Sequence, residues 1–106
     1  MYVRVCGTSD LVDGEASKFE VGNRWVLIAR AGSLFFASDP SCTHEEADLS
    51  LGIMVDSVVT CPLHHARFDL RTGDVLEGPN GDDPSTIPVL RVYKTKVEGA
   101  NVLVEL

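Results

Sequence analysis

The sequence has no long uninterrupted apolar segment. No stretch approaches the about 20 apolar residues that a membrane-spanning helix requires. Its beginning, Met1-Tyr2-Val3, lacks the basic segment, apolar segment and small-residue cleavage site of a secretory leader. We therefore expect a cytoplasmic protein with no membrane partner.

Basic residues are also scarce. Nine lysines and arginines stand against sixteen aspartates and glutamates, which gives a net charge of −7. A protein that grips a phosphate backbone needs clustered lysine and arginine, so we expect no nucleic-acid partner. The acidity has two open interpretations. It keeps the protein in solution, or it steers encounters with a basic partner protein.

Cysteine occurs only three times, at Cys6, Cys42 and Cys61. An odd number in a chain without a leader argues against a disulfide framework. Cys42 and Cys61 each stand close to a histidine, which points toward metal binding instead. Cys6 lies far from any histidine, and we interpret it as a small buried apolar residue that is not a ligand.

No long amphipathic helical pattern is present, and residues 9–15 offer one helical turn at most. Short alternating or apolar runs between turn residues predict strands throughout the chain. These strands are predicted over 2–6, 16–21, 24–30, 33–38, 56–61, 66–70, 74–76, 89–97 and 102–106. The run at 25–29 predicts a strand that is buried on both faces. At 106 residues the chain is expected to form a single all-β domain.

The middle of the chain differs from its two ends. Residues 39–84 are rich in loops and hold all three histidines and two of the three cysteines. Residues 1–38 and 85–106 are predicted to form a basal β part on which this segment is inserted. An inserted loop-rich unit with ligand-type residues is where we expect a cofactor.

Two short motifs supply those ligand-type residues. Cys42-Thr43-His44 is followed, after sixteen residues, by Cys61-Pro62-Leu63-His64. A Cys₂His₂ zinc site and a two-iron cluster with two thiolates and two imidazoles both accept this set. Zinc sites more often place like ligands together, so the mixed pairs favour the cluster. A catalytic thiol at Cys61 paired with His64 would leave the first motif unexplained.

The spacing C-x-H, sixteen residues, C-x-x-H resembles the signature of Rieske-type [2Fe–2S] ferredoxins. The likeness continues through Phe68-Asp69 and Thr72-Gly73. At Gly78-Pro79 the family carries a proline-containing loop that shields the cluster. The resemblance implies a Rieske-like fold of antiparallel sheets holding one [2Fe–2S] cluster. The implied ligands are Cys42, His44, Cys61 and His64.

Two positions depart from the family pattern. His65 stands where most members have glycine, which implies either a backbone that does not need glycine or a mildly strained one. Glu45 follows His44 where glycine or leucine is usual. Neither departure touches the four implied ligands.

The type of Rieske protein is indicated by what surrounds the ligands. Members from quinol-oxidising complexes carry an extra cysteine in each ligand loop, but Leu63 occupies that place in the second loop and the first loop has none. Their hydroxyl donors to sulfur are replaced here by Ala66 and Phe68. Because losing such donors lowers the reduction potential, we predict a value in the lower part of the Rieske range of about −150 to +300 mV. Nearby Glu45, Glu46 and Asp48 would act in the same direction.

The chain most resembles the stand-alone ferredoxin of multicomponent aromatic-ring-hydroxylating dioxygenases. That resemblance implies an electron carrier that is not itself an enzyme. It would take single electrons from a flavin-dependent NAD(P)H reductase and pass them to a terminal oxygenase through the exposed edges of His44 and His64. We expect a monomer that docks transiently. The alternatives are a Rieske-like small subunit of another reductase, such as nitrite reductase, and a zinc-stabilised β binding module.

Overall fold

The computed structural model describes all 106 residues and contains strands and short 3₁₀ helices but no α-helix. The strands are β1 (Tyr2–Gly7), β2 (Ala16–Val21), β3 (Arg24–Ala31), β4 (Leu34–Ser38), β5 (Ile53–Val55), β6 (Val58–Thr60), β7 (Arg67–Asp69), β8 (Val75–Glu77), β9 (Val92–Tyr93), β10 (Thr95–Glu98) and β11 (Asn101–Glu105). The 3₁₀ helices cover Thr8–Asp10, Leu49–Leu51, Pro79–Gly81 and Pro84–Thr86. Each is a single turn of three residues, far too short to span a bilayer. The predicted all-β architecture is confirmed.

Three antiparallel sheets make up the fold. The first has the order β1-β11-β10 and joins the two ends of the chain. The second has the order β2-β3-β4-β9, and the third is the meander β5-β6-β7-β8. The ligand motifs lie in the loops around this third sheet.

Strand β3 connects two hydrophobic cores. Its residues 26–29 are fully buried, as the apolar run predicted. Successive side chains of a strand point to opposite faces. Val26 and Ile28 accordingly pack with Val102 and Val104 of the first sheet. Leu27 and Ala29 pack on the other side, with the core that contains Val59, Phe68, Cys42 and Cys61.

The sequence prediction differs from the structure near the end of the chain. The single strand predicted over 89–97 is divided into β9, which pairs with β4, and β10, which pairs with β11. The chain changes sheet at Lys94, whose carbonyl oxygen accepts a 2.9 Å hydrogen bond from the amide of Glu105. Strand β5 was not predicted at all, because it is three residues long and exposes Ile53 and Val55.

The turn after β7 shows why Asp69 and Gly73 stand at their positions. The carboxylate of Asp69 accepts hydrogen bonds from the backbone amide and the guanidinium of Arg71. Gly73 adopts φ +84°, and a Cβ there would lie 2.0 Å from the carbonyl oxygen of Leu90. Only glycine allows the segment around Leu90 to approach this turn so closely.

Candidate metal centre

The two ligand loops close in the same way. The amide of Cys42 donates to the carbonyl of Ala47 at 2.9 Å, and the amide of Cys61 donates to that of Ala66 at 2.8 Å. Each cysteine is therefore tied to the residue five positions later, with a histidine inside the loop. Both alanines are almost fully buried, at 4% and 1% exposure, so the loops are held at the core on both sides.

The first loop is attached to the rest of the fold by side chains. The hydroxyl of Thr43 donates to the carbonyl of Pro88 at 2.7 Å, and Lys18 of β2 forms an ion pair with Asp48 at 2.9 Å. Burial alone would raise the pKa of Asp48, but hydrogen bonds from Ser50 and Lys18 outweigh burial and lower that pKa. Asp48 is therefore a charged anchor between the loop and the second sheet.

The sequence left open whether the backbone of the second loop is strained at His65. His65 adopts φ +64°, in the left-handed region that favours glycine, so the interpretation of a strained backbone is the one observed. The carbonyl of the preceding residue, His64, accepts a 2.6 Å hydrogen bond from the amide of Asn80. Gly78 and Pro79, which precede Asn80, are buried, and this hydrogen bond joins the proline-containing loop to the second ligand loop.

The four implied ligands differ in burial according to their chemical type. The Cys42 and Cys61 side chains are free thiols buried in the core, at 5% and 1% exposure. The side chains of His44 and His64 remain 38% and 44% exposed. Their rings meet edge to face, with 5.4 Å between centroids and an interplanar angle of 75°. Thiols thus lie inside, and imidazoles lie at the surface.

The environment of Cys42 shows that the two thiols are neighbours. Burial raises its pKa most, the adjacent Cys61 thiol raises it further, and the backbone amide of His44 opposes both effects. That amide lies 3.5 Å from the Cys42 sulfur. A metal that replaces the thiol proton would remove the cost of placing an unpaired thiolate in this core.

The donor set fits a Rieske [2Fe–2S] cluster. Such a cluster takes two thiolates on one iron and two imidazoles on the other. The chain brings the two thiols together on the inner side and the two imidazoles together on the outer side. It does so with two loops of matching closure, each of which contributes one donor of each kind.

One side chain beside the histidines was not predicted to contact them. The carboxylate of Glu45 hydrogen bonds to Nδ1 of His64 and lies 3.9 Å from Nε2 of His44. Its neighbour Glu46 instead faces a surface notch that Lys18 and Trp25 also line. The sequence marked this residue by its departure from the family pattern and by its negative charge close to the ligands, but neither signal predicted the contact with His64.

Cys6 lies elsewhere in the fold. It is 2% exposed in β1 and packs in the core shared by the first and second sheets. Burial, followed by the charge of Asp10, raises the pKa of its thiol to about 11. A neutral apolar residue is what this position holds.

Known proteins resemble this chain over most of its length. Residues 1–94 match the family described as the Rieske [2Fe-2S] domain. The ferredoxin component of biphenyl 2,3-dioxygenase from Rhodococcus jostii is 39% identical over 103 residues, which cover 97% of this chain and 91% of that protein. The ferredoxin component of the alkene monooxygenase system from Xanthobacter autotrophicus is 36% identical, over 97% of this chain and 80% of that protein.

Solved structures show the same similarity. A chain in the complex of reduced oxygenase and oxidised ferredoxin of carbazole 1,9a-dioxygenase superimposes with a TM-score of 0.81. It is 31% identical, and the alignment covers 97% of this chain and 91% of that one.

Proposed function

This chain belongs to the Rieske [2Fe–2S] domain family, and on that premise we propose that it is a carrier of single electrons and not itself an enzyme. The proposed ligands are Cys42 and Cys61 on one iron and His44 and His64 on the other. The bound cluster would supply one-electron chemistry. Residues 39–84 would serve as the cluster-binding part, on a base formed by residues 1–38 and 85–106.

The observation that carries this proposal is the sorting of donors from the core to the surface. The buried thiols of Cys42 and Cys61 keep one side of the site away from water. The half-exposed rings of His44 and His64 extend the site to the surface, where a partner can approach. A carrier needs this asymmetry because its electron must leave through a defined edge.

Too few histidines remain for a second, catalytic iron site in this chain, which supports a role as a carrier. The sequence has three histidines, so His65 alone remains once His44 and His64 bind the cluster. A mononuclear oxygenase iron requires two histidines and a carboxylate. The chain would therefore deliver electrons to such a site in another protein.

We propose that the receiving protein is a terminal ring-hydroxylating oxygenase and that the supplier is a flavin-dependent NAD(P)H reductase. The similarity to the biphenyl dioxygenase component and to the carbazole dioxygenase complex supports the first partner. Exposed Leu63 precedes His64 in the second ligand loop, and exposed Leu51 lines a surface pocket with Pro62 and His65 of that loop, so both leucines offer apolar contact area. We propose further that the carrier works in the cytoplasm, where NAD(P)H-dependent partners operate, and that it is a monomer that docks transiently.

The test is an electron paramagnetic resonance spectrum of the dithionite-reduced protein, with iron, acid-labile sulfide and zinc counted on the same sample. We expect a rhombic signal with a lower average g than all-cysteine clusters give, together with two irons and two sulfides. Stoichiometric zinc and a spectrum that stays silent after zinc is removed and iron and sulfide are supplied would instead show a metal-stabilised β module.

Adjacent histidines provide a matched pair of variants. His64→Gln removes a proposed ligand and should abolish the Rieske signal, whereas His65→Gln should retain it. The reverse result would mean that the second loop offers its other histidine to iron. Loss of the signal in both variants, with the fold intact, would leave the ligand assignment without support.

A further inference from the structure

Three ligand-type side chains converge at the outer edge of the site. The carboxylate of Glu45 hydrogen bonds to Nδ1 of His64, and Nε2 of His44 lies 3.9 Å from the same oxygen. One ligand atom from each of the three residues lies within 4.8 Å of the other two. No thiol belongs to this group, because Cys42 and Cys61 lie deeper in the core.

The backbone of the first loop directs Glu45 toward the histidines. The amide of Ala47 donates to the carbonyl of Glu45 at 2.8 Å, while the carbonyl of Ala47 accepts from Cys42. This tight turn places consecutive glutamates on different sides. Glu45 is half-buried against the imidazoles, and Glu46 is exposed and faces away from them.

The chemistry of the three side chains matches a mononuclear transition-metal site. Two imidazoles and one carboxylate, with an open position for water, bind zinc or ferrous iron in many proteins. Two ligand atoms that each lie about 2.0–2.2 Å from one tetrahedral ion are about 3.3–3.6 Å apart. The three ligand atoms are at most 4.8 Å apart, and the side chains are 30–44% exposed, so rotation of the rings and the carboxylate is what must close the remaining gap.

We propose that His44, Glu45 and His64 of the cluster-free chain bind a single divalent first-row transition-metal ion. The inference rests on the proposed function in one respect, because it takes the same two histidines. An ion in this site and the two-iron cluster therefore exclude one another. Glu45, which stands where glycine or leucine is usual, supplies the third ligand and makes cluster insertion sensitive to zinc.

The direct test is a titration of the cluster-free full-length chain with Zn²⁺ and with Co²⁺. Glu45→Gln should weaken binding at least about tenfold, since losing even a hydrogen-bond partner of a ligand costs about 10–100-fold. Glu46→Gln makes the same charge change at the neighbouring exposed residue and should leave binding unchanged. If the two substitutions weaken metal binding equally, the carboxylates act only through their general negative charge. That result would overturn the proposal.

The Co²⁺ spectrum identifies the donors independently of affinity. Ligation by imidazole and carboxylate gives weak visible bands, whereas thiolate ligands add intense charge-transfer absorption in the near ultraviolet. We expect no such absorption. The double variant Cys42→Ser with Cys61→Ser should still bind Zn²⁺, although it cannot hold the cluster. Loss of Zn²⁺ binding in this double variant, or an unfolded cluster-free chain that binds no ion, would overturn the proposal.

Failure of this inference can be distinguished from failure of the proposed function. The paramagnetic signal of the reduced, cluster-loaded protein tests the electron carrier by itself. Addition of Zn²⁺ before iron and sulfide should slow cluster reconstitution of the natural chain. The same addition should slow reconstitution of Glu45→Gln much less, and equal inhibition of both would contradict the role of Glu45.

Discussion

The amide nitrogen of Asn80 donates a 2.6 Å hydrogen bond to the carbonyl oxygen of His64. This bond ties the proline-containing loop to the backbone of the second ligand loop. Gly78 and Pro79 are buried, although residues 80–86, which follow them, are exposed. The position of His64 therefore depends on a segment that comes fourteen residues or more after it in the chain.

Gly78→Ala should loosen this contact. A Cβ at position 78 would lie 2.7 Å from the carbonyl oxygen of Asp83 and from the hydroxyl oxygen of Thr86, so the loop must move. We expect a loss of about 1–3 kcal/mol in the free energy of unfolding. Faster loss of iron to a chelator should accompany it. Gly7→Ala is the control, because a Cβ there meets its nearest atoms at 3.4 Å. Equal stability of the two variants would show that the loop adapts without cost.

His65→Gly should stabilise the protein. The residue is held at φ +64°, and a left-handed conformation of a residue with a Cβ costs about 1–2 kcal/mol. Glycine removes this cost, although part of the gain is offset by the greater freedom of glycine in the unfolded chain. The measurement is chemical denaturation. His65→Ala keeps the Cβ and removes only the imidazole, so a gain of equal size in that variant would refute backbone strain as the cause.

Stability should fall in acid because of Asp69. Hydrogen bonds from Arg71 lower the pKa of this buried carboxyl from 3.8 to about 2 despite its burial. A group whose pKa is lower in the folded state stabilises the fold above its unfolded pKa. That stabilisation is lost as the pH falls from about 4 toward 2. Since Arg71 is largely exposed, solvent screening limits the effect to about 1–2 kcal/mol.

Urea denaturation of Asp69→Asn between pH 2 and pH 7 tests the pH-dependent contribution of Asp69 to stability. The variant should be less stable than the natural chain at neutral pH, and the difference should shrink steadily below pH 4. Asp82→Asn, at an exposed loop position, provides the matched control. A difference that stays constant over the whole pH range would show that ionisation of Asp69 is not responsible.

Glu45→Gln should raise the reduction potential of the bound cluster. A negative charge beside the imidazoles of His44 and His64 favours the oxidised cluster, which is the less negative state. An interaction of about 1 kcal/mol at a partly exposed site corresponds to roughly 40 mV for a one-electron couple. A redox titration followed by circular dichroism measures the shift.

Glu46→Gln, at the adjacent exposed site, should produce a smaller change in potential. The natural protein should titrate in the lower part of the Rieske range of about −150 to +300 mV. A value near the upper end would contradict the argument that Ala66 and Phe68 lack the hydroxyl donors which raise the potential.

Much of the fold could be predicted because it depends on neighbouring residues. The run 25–29 predicted a doubly buried strand, and β3 buries residues 26–29 completely. The spacing of the two Cys/His motifs predicted one candidate ligand set, and the structure brings its cysteines together and its histidines together. In each case, the relevant information lies within a few consecutive side chains.

Other features depend on contacts between distant segments, and the sequence pattern did not reveal them. Strand β5 exists because three exposed or half-buried residues pair with β6, not because their own pattern favours a strand. The change of sheet at Lys94 depends on whether Val92–Tyr93 pairs with β4 and Thr95–Glu98 with β11. Pairing partners are chosen by packing of the whole domain, which a local alternation of apolar residues does not encode.

The sequence by itself determined which donors are available and that the chain is built from strands. The tertiary structure alone decided that the thiols face the core, that the imidazoles face the surface, and that Glu45 lies between His44 and His64. The physical reason is that donor chemistry belongs to single residues. The distance from Glu45 to a histidine nineteen residues away is set only when both loops close on their alanines and pack on one core.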